Sequence, residues 1–434
     1  MDLSAILDGK RAHLMIMDGP LNQLNRLKSM LWIGLLSTAV LCSSTAVMAQ
    51  SFKFDGKRTR ETLNFTRIKN LIVIPVYIND QGPYNFLLDT GVGQMIITDT
   101  SFLKILNVKQ FKTYKIQGYG LGTEIEAILT RNVKARVGKS EIINIPTAIF
   151  KEDIFDLSSY LGIKIHGILG YYFFKSFIVR INYSTNKITY YAHDHKNKIK
   201  GAKVPLQVIN AKPYIKAEVS IDSLTKINVN LLVDNGSSHP LMLEAIHDHP
   251  FPLPTHTIKA NLGVGINGEI NGVMGRIHTL KLNEFTFNQI LAGFPVYSEE
   301  RNELEGIPRN GSLGAEVLKH FLVTFDYENE ALYLKKSNFF KRKFDHDMSG
   351  MEIYMLRQPK DRYFISRIEP GSPAEQVGLS PGDEILSVDF KTIDHFTLNE
   401  LTELFRDRDG KQMLLEVVHH QERRIVLLRL KKRI

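Results

Sequence analysis

The sequence predicts a mainly β protein made of two copies of one lobe, followed by an α+β module. Three observations predict this class. Strand-like runs fill residues 65–336, a block of sequence recurs at one spacing within them, and Pro-Gly turns and helical periodicity follow after residue 345.

The strand-like runs are rich in β-branched and aromatic residues and are separated by turn formers. Four examples are LIVIPVYIN (71–79), FIVRINY (177–183), INVNLLVD (227–234) and FLVTFDY (321–327). Such composition between short turns is typical of β-strands, and long helical periodicity is scarce in this part of the chain.

The internal repeat is the strongest sign of domain organisation. ILGYYFFKSFIVRINYSTNKITYY (168–191) aligns with SLGAEVLKHFLVTFDYENEALYLK (312–335) at an offset of 144 residues. Asp89 and Asp234 are offset by 145, so an acid, a long interval and a hairpin recur in one order. The predicted lobes are residues 65–195 and 204–336.

The amino-terminal stretch reads as an export signal. LWIGLLSTAVLCSSTAVMA (31–49) is apolar, follows Arg26 and Lys28, and ends in a small-x-small pattern before Gln50. We expect residues 1–49 to be a signal peptide cleaved near Ala49, giving a periplasmic or secreted protein. An uncleaved segment would instead anchor it in a membrane.

Composition excludes several other classes of function. The single cysteine, Cys42, allows neither an intramolecular disulfide nor a cysteine-based zinc site. The net charge of +9 is spread along the chain without an aromatic-interleaved stripe, so nucleic-acid binding is not expected. Histidines at 193, 195, 247 and 249 lack a third ligand at metal-site spacing, so no metal or other cofactor is predicted.

Asp89 and Asp234 each follow an apolar run and precede a small turn, NFLLDTGVG (85–93) and NLLVDNGSS (230–238). A buried carboxylate is costly unless it finds hydrogen bonds or keeps a proton. Two of them brought together by lobe symmetry would share one proton, so that one takes a proton from water while the other polarises a carbonyl. Gly91 and Gly236 would let each turn fold back tightly.

These loops, each followed by an apolar-x-Leu-Gly segment 79 or 78 residues later, resemble those of pepsin- and retropepsin-like aspartic peptidases. The resemblance implies a two-lobed acid-protease β-barrel fold with its active site formed inside one chain. It makes Asp89 and Asp234 the catalytic acids of a hydrolase acting on a peptide or protein substrate. The residues to which it gives supporting roles are Thr90, Gly91, Asn235, Gly236 and Ser237 in the loops, and Leu169, Gly170, Leu313 and Gly314 as buttresses.

The second loop departs from this family at Asn235, where Thr or Ser is usual. One hydroxyl of the clasp between the loops is therefore missing, although the amide of Asn235 can both donate and accept. The sequence leaves two functions open: an exported aspartic endopeptidase, or a weak or inactive peptide-binding scaffold that keeps the fold.

A covering flap is predicted at KIQGYGLGTEIEAI (115–128), with Gly118, Tyr119 and Gly120 at its tip and a second-lobe counterpart at 261–273. The last region, 345–434, contains IEPGSPAEQVGLSPGDEIL (368–386), which resembles the signature of bacterial PDZ domains. That resemblance implies a peptide ligand added as an extra strand, and the sequence leaves open the alternative of a PDZ-shaped spacer that binds little.

Overall fold

The computed structural model describes residues 50–106, 112–116, 125–152, 156–195, 199–247, 249–265, 268–297, 309–357 and 360–434. The predicted signal peptide (1–49) and the flap tip with Gly118, Tyr119 and Gly120 lie outside the described residues. Within the described part, no helix is long and apolar enough to cross a membrane.

The mainly β class predicted from the sequence is confirmed, and most elements of the first lobe are strands. In chain order they are β1 (Lys53–Phe54), β2 (Arg60–Asn64), β3 (Thr66–Ile68), β4 (Leu71–Ile78), β5 (Gln81–Leu88), β6 (Met95–Ile97), α1 (Phe102–Ile105), β7 (Thr113–Ile116), β8 (Ile125–Thr130), β9 (Ala135–Val137), β10 (Ser140–Ile142), β11 (Thr147–Phe150), α2 (Leu157–Leu161), β12 (Gly167–Leu169), α3 (Tyr171–Ser176), β13 (Ile178–Asn182) and β14 (Lys187–Tyr191). β1 and β2 precede residue 65, so the sheets of this lobe begin ahead of the predicted boundary.

The second lobe has the same character. Its elements are β15 (Ala202–Pro205), β16 (Gln207–Ile209), β17 (Lys212–Ser220), β18 (Lys226–Asp234), β19 (Leu241–Leu243), β20 (Ala245–Ile246), β21 (His249–Pro250), β22 (Thr257–Gly265), β23 (Gly268–Leu282), β24 (Phe285–Pro295), β25 (Gly311–Gly314), α4 (Ala315–Leu318), β26 (Phe321–Asp326) and β27 (Ala331–Lys336).

The two lobes share a six-stranded antiparallel sheet in the order β15-β27-β26-β13-β14-β2. At its centre β13 pairs with β26, Val179 opposite Phe325 and Ile181 opposite Val323. At the repeat offset of 144, Val323 is the counterpart of Val179 and Phe325 that of Ile181. The strand therefore pairs with its own repeat equivalent, as a duplicated lobe closing about a two-fold axis requires.

Strands β5 and β18 each begin with polar, exposed residues and end with apolar residues in the interior. β5 is exposed over Gln81–Pro83 and buried over Phe86–Leu88, and β18 changes in the same way toward Val233. A strand buried on both faces reads as a continuous apolar run. This gradient explains why an acid can follow three apolar residues: the strand delivers it to the centre of the molecule.

The C-terminal module has a separate core and its own sheet. Its elements are β28 (Met351–Leu356), β29 (Arg362–Ile368), α5 (Pro373–Gln376), β30 (Glu384–Val388), β31 (Lys391–Thr392), a 3₁₀ turn (Ile393–His395), α6 (Leu398–Leu404), β32 (Gln412–His419) and β33 (Glu422–Arg429). Ser372 caps α5, and Thr397 with Glu400 forms a capping box on α6. The sheet order is β28-β29-β30-β32-β33.

Candidate active site

Asp89 and Asp234 meet where the two lobes join. Asp89 directly follows β5, and Asp234 is the last residue of β18. The Gly91 N–H donates to Asp89 Oδ1 at 2.7 Å, and the Gly236 N–H donates to Asp234 Oδ1 at 2.9 Å. The two carboxyl groups are also hydrogen-bonded to each other. The structure thus brings together the pair of acids that the sequence singles out.

Each glycine turn lies against the carboxyl group of the opposite loop. A Cβ atom on Gly236 would lie 2.2 Å from Asp89 Cγ, and one on Gly91 would lie 3.2 Å from Asp234 Oδ1. A real side chain cannot approach so closely at Gly236. Glycine is required there because backbone must pass over a carboxyl group, although neither glycine has a positive φ.

Burial raises the pKa of Asp89 well above its ordinary value, and the charge of Asp234 raises it further. Burial also raises the pKa of Asp234, but the Arg309 guanidinium acts in the opposite direction. The two carboxyl groups therefore titrate as a pair that shares one proton, and the Arg309 cation favours the state in which Asp234 is the ionised member.

Thr90 and Asn235, both fully buried, clasp the two loops together. The Asn235 N–H donates to Thr90 Oγ1 at 3.0 Å, and that hydroxyl lies 2.7 Å from the Val233 carbonyl oxygen, to which it donates. In return, the Thr90 N–H donates to Asn235 Oδ1 at 2.7 Å, and Asn235 Nδ2 donates to the Leu88 carbonyl at 2.8 Å. The amide of Asn235 accepts through Oδ1 and donates through Nδ2, whereas a Thr or Ser hydroxyl would do both through one oxygen. The clasp between the loops is therefore complete with Asn at position 235.

The buttress segments run beside the acid loops. β12 is parallel to β5, with Leu169 opposite Leu88, and the Asp89 N–H donates to the Leu169 carbonyl at 2.9 Å. β25 is parallel to β18 in the same way, with Leu313 opposite Val233 and Gly314 opposite Asp234. The remaining loop residue, Ser237, accepts from the Ala315 N–H and lines the cleft.

Gly170 permits a close backbone approach, and its replacement tests the buttress. A Cβ there would lie 2.1 Å from the Val92 carbonyl oxygen and 2.5 Å from that of Asp89. We expect Gly170→Ala to destabilise the protein by about 2 kcal/mol in urea unfolding, because backbone must shift to make room. Gly93→Ala is the matched control, since its nearest contact would be an ordinary 3.4 Å. Equal stability of the two variants would contradict this role.

A cleft of about 860 Å³ lies over the acids, between the lobes. The hairpin of β22 and β23 contributes Leu262–Gly265 to its wall, as expected for the second-lobe counterpart of the flap. Of the first-lobe flap, the structure describes the flanks β7 and β8, which pair with each other. Other lining residues are Leu87, Val92, Ile96, Phe150, Leu157, Tyr160, Tyr171, Tyr172, Lys212, Ser238, His239, Met242, Glu244 and Arg309.

Sequence reasoning missed the charged residues beside the acids. Arg309 Nη2 lies 2.5 Å from Glu244 Oε1, with both side chains mostly buried. Lys212 and Arg309 both act on the pKa of Asp234. One signal was available, because Arg309 stands two residues before the β25 buttress. Among the described residues, no group of three His, Cys, Asp or Glu side chains could hold a metal ion.

Comparisons with known proteins give matches to two parts of the chain. A family model described as aspartyl protease matches residues 74–173, and one described as PDZ domain matches residues 364–418. No curated protein matches the sequence. A match to the crystal structure of aspartic proteinase from Irpex lacteus covers 65% of this chain and 99% of the proteinase chain. The two sequences are 11% identical over the match, and the TM-score is 0.39. The likeness is therefore to aspartyl proteases over residues 74–173, where Asp89 and its buttress lie, and to PDZ domains over residues 364–418.

Proposed function

We propose that the protein is an exported aspartic endopeptidase that hydrolyses peptide bonds in extended segments lying in the cleft. The observation that carries the proposal is the pair of hydrogen-bonded carboxyl groups of Asp89 and Asp234, each also receiving a glycine N–H. The expected partners are a peptide or protein substrate in the cleft and a peptide at the PDZ domain. Export is inferred from the leader at residues 1–49.

The first chemical step follows from the unequal acids. Asp234, the ionised member, accepts a proton from a water molecule bound between the carboxyl groups. The resulting hydroxide equivalent attacks the scissile carbonyl carbon, while the proton on Asp89 is donated to the carbonyl oxygen. The product is a neutral tetrahedral diol, with Asp89 ionised and Asp234 protonated.

The second step restores the enzyme. The C–N bond breaks as Asp234 gives its proton to the leaving nitrogen, and a diol hydroxyl returns a proton to Asp89. One water is consumed, and one carboxylic acid and one amine are released, so the proton is again on Asp89. No cofactor takes part in this sequence of proton transfers.

The alternative, an inactive peptide-binding scaffold, depended on the unusual Asn235. The complete clasp that Asn235 forms with Thr90 and Leu88 removes the observation that favoured it. Both acids are present and oriented, which supports the enzyme.

Cleavage of a quenched-peptide library by the full chain tests the proposal. We expect peptide cleavage between pH 4 and 8. It should be unaffected by a chelator and by reagents that modify catalytic thiols or serine hydroxyls, since only carboxyl groups and water react. Cleavage abolished by the chelator would point to a metal hydrolase. Absence of cleavage across this range would support the scaffold.

The dependence of kcat/KM on pH should reveal the effect of the Arg309 cation on the pKa of Asp234. Because Arg309 lowers the pKa of Asp234, Arg309→Met should raise that pKa and move the acid limb of kcat/KM to higher pH. Arg309→Met with Glu244→Gln removes the ion pair together and should keep the shift without leaving a buried, unpaired carboxylate. An acid limb that stays in place in both variants would contradict this assignment.

A further inference from the structure

The PDZ domain has a groove between strand β28 and helix α6. Among the described strands, β28 pairs only with β29, which leaves its other edge open for pairing. Met355 of β28 and Leu398 of α6 belong to the same apolar cluster. A strand edge beside a helix is where an extended peptide adds as an extra strand.

The first lobe occupies this groove. A Cβ on Gly162, the residue that ends helix α2, would lie 3.2 Å from Leu398 Cβ and 3.3 Å from Met355 Cε. Gly162 is therefore held between both walls, and its φ of +66° also favours glycine. Arg357, directly after β28, donates from Nη2 to the Gly162 carbonyl at 2.5 Å.

A second contact lies beside the first. The turn between β3 and β4 consists of Lys69 and Asn70, both with positive φ. The Lys69 N–H donates to Asn399 Oδ1 on α6 at 3.2 Å. Burial lowers the pKa of the Lys69 ammonium to about 8, and the charge of Glu352 on β28 acts against that shift. The Lys69 side chain is therefore partly buried at this contact, beside Glu352.

Helix α2 also forms part of the cleft wall. Leu157 and Tyr160 line the cleft, and the Tyr160 side chain lies beside that of Ser238 from the opposite lobe. The Lys69 ammonium lies 3.6 Å from the centre of the Tyr160 ring and holds it in place. Tyr160 therefore reaches across the cleft from the helix that enters the PDZ groove.

We propose that the segment Leu157–Gly162 is a built-in occupant of the PDZ groove and that its docking closes the cleft by holding Tyr160 against Ser238 of the opposite lobe. An extended peptide that pairs with β28 must displace this segment, which frees α2 and opens the cleft to substrate. The proposal rests on the proteolytic function proposed above.

The docked segment leaves the pairing capacity of β28 unused. Within the described residues, no backbone hydrogen bond joins residues 156–163 to β28. A peptide strand can bond to those N–H and C=O groups, so it offers contacts that the segment does not. Because the two occupants exclude each other, the effect is reciprocal: whatever weakens docking of α2 strengthens peptide binding by the same factor.

A disulfide across the groove tests the closed state. Gly162→Cys with Leu398→Cys, in a full chain carrying Cys42→Ser, places the Cβ atoms near the 3.5–4.5 Å that a disulfide needs. We expect the oxidised protein to cleave peptide about tenfold more slowly than the same protein after reduction. The disulfide keeps the segment Leu157–Gly162 in the groove, and the segment can leave only after the disulfide is reduced. Each single cysteine variant, treated identically, should show no redox effect. An oxidised protein as active as the reduced one would overturn the proposal.

Loosening the contact tests it from the other direction. Arg357→Ala with Asn399→Ala removes both hydrogen bonds to the first lobe, and we expect kcat/KM to rise severalfold. Arg362→Ala is the matched control, because Arg362 pairs with Glu384 within the PDZ domain and touches neither lobe contact. A rise in the control as large as in the double variant would contradict the coupling.

Amide hydrogen exchange gives a readout independent of catalysis. In an Asp89→Asn background, amides of residues 157–162 should exchange faster in the Arg357→Ala, Asn399→Ala protein and unchanged in Arg362→Ala. Unchanged protection in both would refute docking even if the enzyme is active. If protection is lost in the Arg357→Ala, Asn399→Ala protein but the protein that retains Asp89 cleaves no peptide, the proposed function is rejected and the docking stands.

Discussion

We expect Asp89→Asn and Asp234→Asn each to lower peptide cleavage by about 10³-fold, because a positioned acid or base is lost from each proton-transfer step. The Asn side chain keeps the shape of the carboxyl group and leaves the Gly91 and Gly236 donors a partner. The measurement is kcat/KM on the best peptide from the library. Asp55→Asn, on an exposed turn, is the control and should retain full activity.

The same substitutions should stabilise the protein near neutral pH. Burial raises the pKa of both acids above the unfolded values. Stability from such a group is full below the unfolded pKa, near 3.9 for Asp, and is lost as pH rises through the folded pKa. Asp89→Asn removes that loss, so its melting temperature should exceed that of the unmodified protein at pH 7, and the gap should shrink toward about pH 3.5.

Melting curves at several pH values check this sign. An Asp89→Asn protein less stable than the parent at pH 7 would mean that the carboxyl groups stabilise the fold, and would contradict the shared-proton description. Asp55→Asn should show no comparable change, because its carboxyl group is exposed in the folded protein.

The second large effect concerns the clasp. Asn235→Ala removes the acceptor of the Thr90 N–H and the donor to the Leu88 carbonyl at a fully buried position. Leaving two buried groups unsatisfied should cost about 3 kcal/mol of unfolding free energy and should reduce activity as the loops separate. Urea unfolding measures the first effect and peptide cleavage the second.

Asn235→Thr is the informative companion. Its hydroxyl can accept from the Thr90 N–H and donate to the Leu88 carbonyl, so stability should return to within about 1 kcal/mol of the parent. If the Thr variant were as unstable as the Ala variant, the amide would have a role that hydrogen bonding to the first loop does not explain.

The sequence was sufficient for the class of fold and for the identity of the two acids. Both follow from local patterns, namely apolar runs that end in an acid and a turn, and the same pattern recurs about 145 residues later. Repetition carries three-dimensional information because duplicated lobes pair about a two-fold axis. The buttress roles of Leu169 and Leu313 came from the resemblance to aspartic peptidases, and their strands do run beside the acid strands.

Features that depend on distant contacts left little trace in the sequence. β1 and β2 lie in the polar stretch KFDGKRTRETLN (53–64), which has weak strand character and is ordered by pairing with β10 and β14. Asn235 could be recognised as unusual, but whether its amide would reach Thr90 and Leu88 depended on loop geometry. Gly162 reads as an ordinary helix-ending glycine, and its contacts are made with residues more than 190 positions away, Met355, Arg357 and Leu398.

The seam between the lobes has a bearing on how such a molecule could arise. Val179 faces the equivalent of Ile181, and Ile181 faces the equivalent of Val179, so the central pairing is self-complementary. A protein made of a single lobe would expose this strand, which could pair in antiparallel register with the same strand of a second copy. An ancestral half-length chain would then have assembled as a symmetric homodimer, and fusion of two copies freed each half to acquire its own residues, such as Asn235 in one and Thr90 in the other.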